Sequence, residues 1–216
     1  MACIIITGAA RGGTSLVAGI CDAVGIPMGK GGPRFENPYL QWAVLADRWD
    51  VVAELVKIID AQEPLWGWKL PALHKNLHRV SGLLINPRYV FVLKDPVTVA
   101  RRRADPGDAP HFARMIKRSA LTQQAMADFA LQTQSPTLFV SYDETMRNME
   151  AGISTIARYC DLDQVDAKLI ATKLLNSHRD YINGVKYPRL LSTLDKRLSR
   201  ICNDAGVFAP LPKSDV

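Results

Sequence analysis

Apolar and polar residues follow two spacings along this chain, one typical of strands and one typical of helices. The first block, Ala2 to Thr7 (ACIIIT), is apolar and β-branched and is followed by glycine, which predicts a strand buried on both faces. Three later blocks predict further strands. They are Leu65 to Lys69, Tyr89 to Lys94 and Thr137 to Tyr142.

Helical spacing separates these strands. A helix is predicted to begin at Thr14 and to end at Gly25, because apolar residues between them fall at i, i+3, i+4 and i+7. A longer helix is predicted from about Pro110 to Gln134, with Leu121, Ala125 and Phe129 along one face. Two later helical patterns consist of Ile153, Ile156, Ala157 and Cys160, and of Leu190, Leu194, Leu198 and Ile201.

Strands that alternate with helices indicate a parallel sheet covered by helices on both faces. The predicted fold class is therefore α/β, a three-layer α/β/α arrangement around a central parallel sheet. No strand is predicted beyond Leu162, so the C-terminal quarter is expected to be a helical cover. Because the length is ordinary for one domain and no repeat is evident, residues 1–216 are expected to form a single domain.

Two irregular stretches interrupt the alternation. Gly25 to Pro38 is rich in glycine and proline and is predicted to be a loop over the sheet edge. Ala104 to Pro110 is interpreted as a connection, with a mobile lid as the alternative.

The composition, 48% hydrophobic and 22% charged, is that of a globular protein and excludes collagen-like, coiled-coil and disordered classes. The net charge of +6 favours an anionic ligand without separating a nucleotide from a nucleic acid. No secretory signal is expected, and no apolar run approaches the roughly 18 residues of a membrane span. The cysteines are widely separated and are interpreted as reduced packing residues, which predicts a cytoplasmic protein. They are Cys3, Cys21, Cys160 and Cys202.

A glycine loop, Gly8 to Ser15 (GAARGGTS), lies between the first predicted strand and its helix. Backbone N–H groups and a helix N-terminus converge at such a turn and form an anion site. The loop matches the P-loop pattern G-x-x-x-x-G-K-[ST] except that Thr14 replaces the lysine, while Arg11 supplies a cation inside the loop. A P-loop NTPase-like phosphate site is therefore predicted, with little support for γ-phosphate chemistry; a turn that only connects is the alternative.

The sequence resembles the sulfotransferases at this loop and in several later segments, particularly bacterial members that use 3′-phosphoadenosine 5′-phosphosulfate (PAPS) as donor. The segments occur in the family's order and span most of residues 4–162. They are IIITGAARGGTSLVAGICDAVGIPMG (Ile4 to Gly29), FENPYL (Phe35 to Leu40), WGWK (Trp66 to Lys69), FVLKDPVTVARRR (Phe91 to Arg103) and LFVSYDETMRNMEAGISTIARYCDL (Leu138 to Leu162).

The resemblance implies transfer of a sulfuryl group from PAPS to a hydroxyl or amine, with adenosine 3′,5′-bisphosphate (PAP) as product and no metal. The resemblance also implies that Arg11 stabilises the leaving phosphate. The residues expected to hold that phosphate are Gly12, Gly13, Thr14 and Ser15. Lys94 and Arg102 stand where the family has an Arg and a Ser that grip the 3′-phosphate, and Lys lacks the bidentate fork of Arg. Of Arg101 to Arg103, Arg102 is chosen by its matching position.

The general base is where the sequence departs from the family. Members carry Lys-x-His or Trp-Gly-Trp-Lys-Asp-Pro after the second strand, whereas here Lys69 is followed by Leu70 and Pro71. Lys69 remains a catalytic candidate on the acceptor side. His74 and Glu36 are the two candidates for the base, since either accepts a proton within hydrogen-bond reach.

Three aromatic residues have interpretations of their own. Trp66 and Trp68 share one face of their strand, which favours the core, with a place beside the adenine or the acceptor as the alternative. Tyr142 and Asp143 are interpreted as a strand end and a helix N-cap, without chemistry.

Two other functions stay open. Lys94-Asp95 after an apolar strand keeps a P-loop kinase or NTPase possible, and Leu70 and Pro71 are compatible with a nucleotide-binding module that has lost its base. The basic residues are dispersed without a recognition motif, so no nucleic-acid partner is expected. The expected partner is a small-molecule or glycan acceptor. The sequence identifies neither that acceptor nor the oligomeric state.

Overall fold

The structure, a computed structural model, describes residues 1–29, 35–176 and 191–206. Four strands form one parallel sheet in the order β2, β1, β3, β4. Their bounds are Ala2–Gly8 (β1), Leu65–Lys69 (β2), Pro87–Leu93 (β3) and Thr137–Ser141 (β4). All four predicted strands are confirmed, with small shifts at their ends.

Helices connect the strands and follow the last one. Between β1 and β2 lie α1 (Thr14–Ala23), α2 (Pro38–Leu45) and α3 (Trp49–Asp60). Between β2 and β3 lie a 3₁₀ turn (Pro71–Lys75) and α4 (Leu77–Ser81), and between β3 and β4 lie α5 (Pro96–Ala100) and α6 (Ala109–Gln132). After β4 come α7 (Tyr142–Arg147), α8 (Met149–Tyr159), α9 (Ala167–Asn176) and α10 (Leu191–Asp204). The last predicted pattern is helical where it is described, while Leu190 lies outside the described residues. None of the helices in the described ranges is long and apolar enough to cross a membrane.

The side chains of β1 enter two apolar cores, one on each face of the sheet. Cys3 and Ile5 pack with residues of α3, α6 and α10, whereas Ile4 and Ile6 pack with residues of α1, α8 and α9. All four are fully buried, as alternation along a strand covered on both sides requires. The three-layer α/β/α prediction is confirmed. The four cysteines are buried free thiols.

The two tryptophans of β2 belong to the core beside α3. Their rings stack with centroids 6.5 Å apart, and both are almost fully buried. The indole N–H of Trp66 donates to Asp60 Oδ1 over 2.7 Å. The core interpretation of Trp66 and Trp68 is therefore confirmed, and the alternative beside a ligand is wrong.

Helix α6 buries only part of the predicted face, since Phe129 is buried and Leu121 is not. Leu121 is 52% exposed, so its predicted burial is wrong. The buried residues of the helix are Ser119, Thr122, Met126 and Phe129. Two of these are hydroxyl residues, which an argument from apolar spacing assigns to the outside. The inward face of α6 therefore includes two hydroxyl groups, those of Ser119 and Thr122.

The segment after α1 runs along the outer side of β2, which is an edge strand. The N–H of Gly67 donates to the carbonyl of Pro27 over 2.8 Å, and Met28 packs directly over Gly67. The predicted loop over the sheet edge, Gly25 to Pro38, is confirmed where it is described. Residues 30–34 lie outside the described residues.

Candidate functional site

The loop after β1 turns sharply at two residues with left-handed backbone angles. Arg11 has a φ of 68° and Gly13 has a φ of 92°. Gly13 is the N-cap of α1, and as a glycine it has no side chain with which to cap the helix. A helix N-terminus that follows a glycine loop in this way is a common place for an anion to bind. The Gly12 N–H is used inside the loop, where it donates to the Ala9 carbonyl over 2.8 Å.

This loop lines a cavity of about 740 Å³ at the carboxyl ends of the strands, which we call the loop cavity. The loop residues in its wall are Ala10, Arg11, Gly13, Thr14 and Ser15. Its further charged residues are Glu36, Lys69, Arg102 and Arg103. An apolar part of the wall consists of Leu16, Met146, Met149, Leu174 and Leu175, together with the ring of Tyr142. The cavity therefore offers cations to an anionic group and an apolar surface to a flat ring.

Two of the three consecutive arginines after α5 line the loop cavity. Arg102 does so, as its matching position predicted, and Arg103 does so as well. Burial and the positive charges of Arg118 and Arg11 lower the pKa of Arg103. Arg103 lines the same cavity as Arg11. Sequence reasoning missed it because helical spacing alone does not select one residue from a run of three.

Lys94 is placed behind Tyr142 and is absent from the wall of the loop cavity as described. Its Nζ lies 3.6 Å from the centroid of the Tyr142 ring, a cation–π contact, and the residue is only 5% exposed. Burial and the positive charge of Arg102 lower the pKa of Lys94. Contact between Lys94 and a phosphate stays a prediction.

Tyr142 is a residue whose place in the site the sequence interpretation missed. Its ring packs against Gly13 so closely that a Cβ there would lie 2.1 Å from a ring carbon. The helix N-cap beside it is Ser141, whose hydroxyl accepts the N–H of Glu144, so the prediction of Asp143 as N-cap is wrong. The available clue was topological, because Tyr142 directly follows β4 at the edge where the carboxyl ends of parallel strands meet.

Lys69 and Glu36 form an ion pair in the wall of the loop cavity. Lys69 Nζ lies 2.5 Å from Glu36 Oε1, and the side chains are 2% and 12% exposed. A buried charge is retained where an opposite charge compensates it. Glu36 precedes α2, where the side chain of Asn37 accepts the N–H groups of Tyr39 and Leu40. The structure thus joins two predicted catalytic candidates from distant parts of the sequence.

A second cavity of about 240 Å³, which we call the side cavity, adjoins the first. The two cavities share wall residues, namely Ala10, Glu36, Pro71 and Arg103. His74 lines the side cavity, so both candidates for the base lie there and Glu36 lies at the junction. A ligand in one cavity is therefore adjacent to a ligand in the other.

His74 is held in one orientation by the backbone. Its Nδ1 donates to the Pro71 carbonyl over 2.7 Å, and the Thr7 hydroxyl donates to the same oxygen over 3.0 Å. With the proton on Nδ1, neutral His74 keeps a lone pair on Nε2. Thr122 Oγ1 lies 3.4 Å from Nε2 but donates its proton to the Arg118 carbonyl. Nε2 is therefore able to accept a proton from a ligand.

Burial keeps His74 neutral. It lowers the pKa of the imidazole below its ordinary value of 6.5, and the positive charges of Lys75 and Arg118 lower it further. Near neutral pH His74 is therefore a proton acceptor. Within the described ranges, no cluster of three or more His, Cys, Asp or Glu side chains is arranged to hold a metal ion.

Comparison with known proteins gives a fold but no match in sequence. Neither a family model nor a curated protein matches this chain. A sulfotransferase domain from the curacin biosynthetic pathway is similar in structure, with a TM-score of 0.54 and 13% identity over 98% of both chains. A sulfotransferase domain from the Synechococcus PCC 7002 olefin synthase has a TM-score of 0.57 and 16% identity, over 99% of this chain and 90% of that one. The chain has the fold of these sulfotransferase domains.

A more distant structure is that of retinol dehydratase in complex with androsterone and the inactive cofactor PAP. It has a TM-score of 0.48 and 11% identity, over 99% of this chain and 83% of that one.

Proposed function

We propose that this protein is a sulfotransferase that moves a sulfuryl group from PAPS to a hydroxyl or amine of a small-molecule acceptor. The observation that carries the proposal is the meeting of two cavities at Glu36. One cavity has an anion-binding loop, several cations and an apolar wall, and the other has a neutral histidine. The first suits the donor nucleotide and the second suits the acceptor.

The walls of the loop cavity match the parts of the proposed donor. Arg11 and the N-terminus of α1 suit the 5′-phosphosulfate, and Arg102 and Arg103 suit the 3′-phosphate. The ring of Tyr142 and the neighbouring apolar side chains suit the adenine. These side chains support a nucleotide with two separate charged groups as the ligand of the loop cavity.

The proposed reaction breaks the bond between sulfur and the bridging oxygen and forms a bond between sulfur and the acceptor. The leaving phosphate takes the electron pair, so negative charge develops on its oxygen. We assign Arg11 and Lys69, which both line the loop cavity, to this oxygen, since fixed cations beside it stabilise the transition state. Glu36 keeps the Lys69 ammonium in place through their 2.5 Å contact.

His74 is the residue we propose as the general base. With the proton on Nδ1, its Nε2 keeps a lone pair in the side cavity, whereas the Glu36 carboxylate already accepts a hydrogen bond from the Lys69 ammonium. The acceptor's proton therefore moves to His74 Nε2 as the new bond forms. Glu36, at the junction, is the alternative.

Nucleotide binding tests the donor assignment directly. We expect calorimetric titration to show micromolar binding of PAP and much weaker binding of AMP, which lacks the 3′-phosphate. ATP with Mg²⁺ is the rival ligand, because it is the nucleotide that a P-loop kinase prefers. Tighter binding of ATP with Mg²⁺, or no binding of any of the three, would contradict the proposal.

The pH profile of transfer tests the base. Since neutral His74 accepts the proton, activity is expected to fall as the pH falls through its lowered pKa, so the acid limb lies below pH 6.5. His74→Asn is expected to reduce kcat by about 10²- to 10⁴-fold, the usual contribution of a general base, and to remove that limb. If His74→Asn kept the wild-type profile while Glu36→Gln lost activity without a lower Tm, the base would be Glu36.

A further inference from the structure

The side cavity carries more positive charge than its one acidic residue balances. Glu36 is that residue, and its carboxylate is already paired with Lys69. The cations in the wall are Lys75, Arg103 and Arg118. Among the described ion pairs, none joins Lys75 or Arg118 to a carboxylate. Both are exposed at the cavity, where positive charge attracts an anion.

A buried hydroxyl in the same wall has an unmet hydrogen bond. Ser119 is 2% exposed, and its Oγ has no hydrogen-bond partner in the part of the chain that the structure describes. A buried polar group of this kind is costly unless something satisfies it. Its neighbour Thr122 satisfies its own hydroxyl by donating to the Arg118 carbonyl. Since Ser119 also belongs to the wall of the side cavity, we take its hydroxyl as a donor to an oxygen of a ligand there.

We propose that the side cavity selects a compact acceptor that carries a carboxylate besides the hydroxyl that receives the sulfuryl group. Arg118 and Lys75 attract the carboxylate, and the Ser119 hydroxyl donates to one of its oxygens. The acceptor hydroxyl lies toward His74, near the wall shared with the loop cavity.

The size and lining of the side cavity define the body of this acceptor. At about 240 Å³ it is smaller than the roughly 300–1,000 Å³ of cavities that enclose drug-sized ligands. About half of the residues in the wall of the side cavity are apolar. The apolar residues are Ala9, Ala10, Leu45, Leu70, Pro71, Ala72, Val99 and Met115. A single aromatic ring or a short alkyl chain fits this space, whereas a glycan has too many hydroxyl groups to satisfy there.

This inference rests on the proposed function, and a binding experiment separates the two. The protein is first saturated with PAP and then titrated with 4-hydroxyphenylacetate or with 4-hydroxyphenylacetamide. The two probes have the same phenol and nearly the same shape, but only the first carries a charge. We expect the acid to bind about tenfold or more tightly than the amide, as charged hydrogen bonds predict. Added salt is expected to reduce this preference.

Two variants of neighbouring residues test the role of Arg118. Arg118→Gln is expected to bring the preference for the acid close to one. Lys117→Gln is the matched control, because it removes the same charge from an exposed position on α6 that is absent from the wall of either cavity. The control is expected to keep the preference of the wild type.

The Ser119→Ala variant shows whether the Ser119 hydroxyl binds the acceptor or only stabilises the fold. It removes a buried hydroxyl that has no partner, so the Tm is expected to stay the same or to rise. The affinity for the acid is expected to fall several-fold, while that for the amide changes less. A lower Tm with unchanged affinity for the acid would show that Ser119 has only a structural role.

The outcomes distinguish the two proposals. If PAP binds but acid and amide bind equally, or neither probe binds, the acidic acceptor is overturned and the donor site stands. If PAP itself does not bind, the proposed function is overturned and this inference with it. Preference for the acid that is lost in Arg118→Gln and kept in Lys117→Gln supports both.

Discussion

Arg11→Ala is expected to lower kcat/KM for sulfuryl transfer by at least about 100-fold, the scale on which removal of one transition-state donor acts. PAP binding is expected to weaken by about tenfold or more, since charged contacts to phosphate contribute about 1.5–3 kcal/mol each. These effects are expected because Arg11 is the cation inside the glycine loop and lines the loop cavity. Calorimetry with PAP and steady-state kinetics with PAPS measure the two effects.

The matched control for Arg11 is Arg101→Ala. Arg101 is exposed at the end of α5 and is absent from the walls of both cavities. Neither substitution is expected to change the Tm appreciably, because Ala and Arg are equally strained at the φ of 68° found at Arg11. Equal PAP affinities in the two variants would remove Arg11 from the donor site.

Gly13→Ala is expected to cause the largest structural loss. An alanine at a φ of 92° costs about 1–2 kcal/mol for the left-handed backbone. The added Cβ would also meet the Tyr142 ring at 2.1 Å, and such overpacking costs a further 1–3 kcal/mol or so. We expect a lower Tm and loss of PAP binding, because the loop must move away from Tyr142.

Gly25→Ala is the control that isolates the contact with Tyr142. Gly25 has a similar φ of 100°, but a Cβ there meets no described atom within 4 Å. The Gly25→Ala variant should therefore lose only the stability that the left-handed backbone costs, and it should keep PAP binding. In the double variant Gly13→Ala with Tyr142→Ala, part of the Tm is expected to return. A double variant as unstable as Gly13→Ala alone would mean that the ring contact is not the cause.

The sheet could be predicted from sequence because its strands are apolar runs. In β1, Ile4 and Ile5 are fully buried on opposite faces of the sheet. A strand of this kind has apolar residues at consecutive positions, and this is the pattern by which β1 was predicted. The loop after β1 could be predicted for a related reason. Its glycines are required by close backbone contacts, as at Gly8, where a Cβ would lie 2.6 Å from the Val92 carbonyl.

The face of α6 could not be predicted from apolar spacing. Ser119 and Thr122 are buried, and Leu121 between them is exposed. The two hydroxyl side chains line the side cavity, and that cavity is formed by residues distant in sequence. The same limit applies to the Lys69–Glu36 pair, whose partners are separated by 33 positions along the chain.

The position of Lys94 also required the structure. Its place after β3 matched the family's phosphate-binding cation, but its ammonium lies against the Tyr142 ring. A residue's place in a motif defines where its Cα lies and leaves the direction of a long side chain open. The ring that receives Lys94 follows β4, the strand paired with β3, so the two residues are close in the sheet but distant along the chain.

The Pro71 carbonyl oxygen orients His74 independently of any ligand. The Pro71 oxygen accepts hydrogen bonds from two groups, the Thr7 hydroxyl near the end of β1 and the His74 ring. The imidazole and the loop are thereby fixed to a common point of the backbone. The proposed base, His74, is thus preorganised before either ligand arrives, so the binding energy of a small acceptor is not needed to orient it.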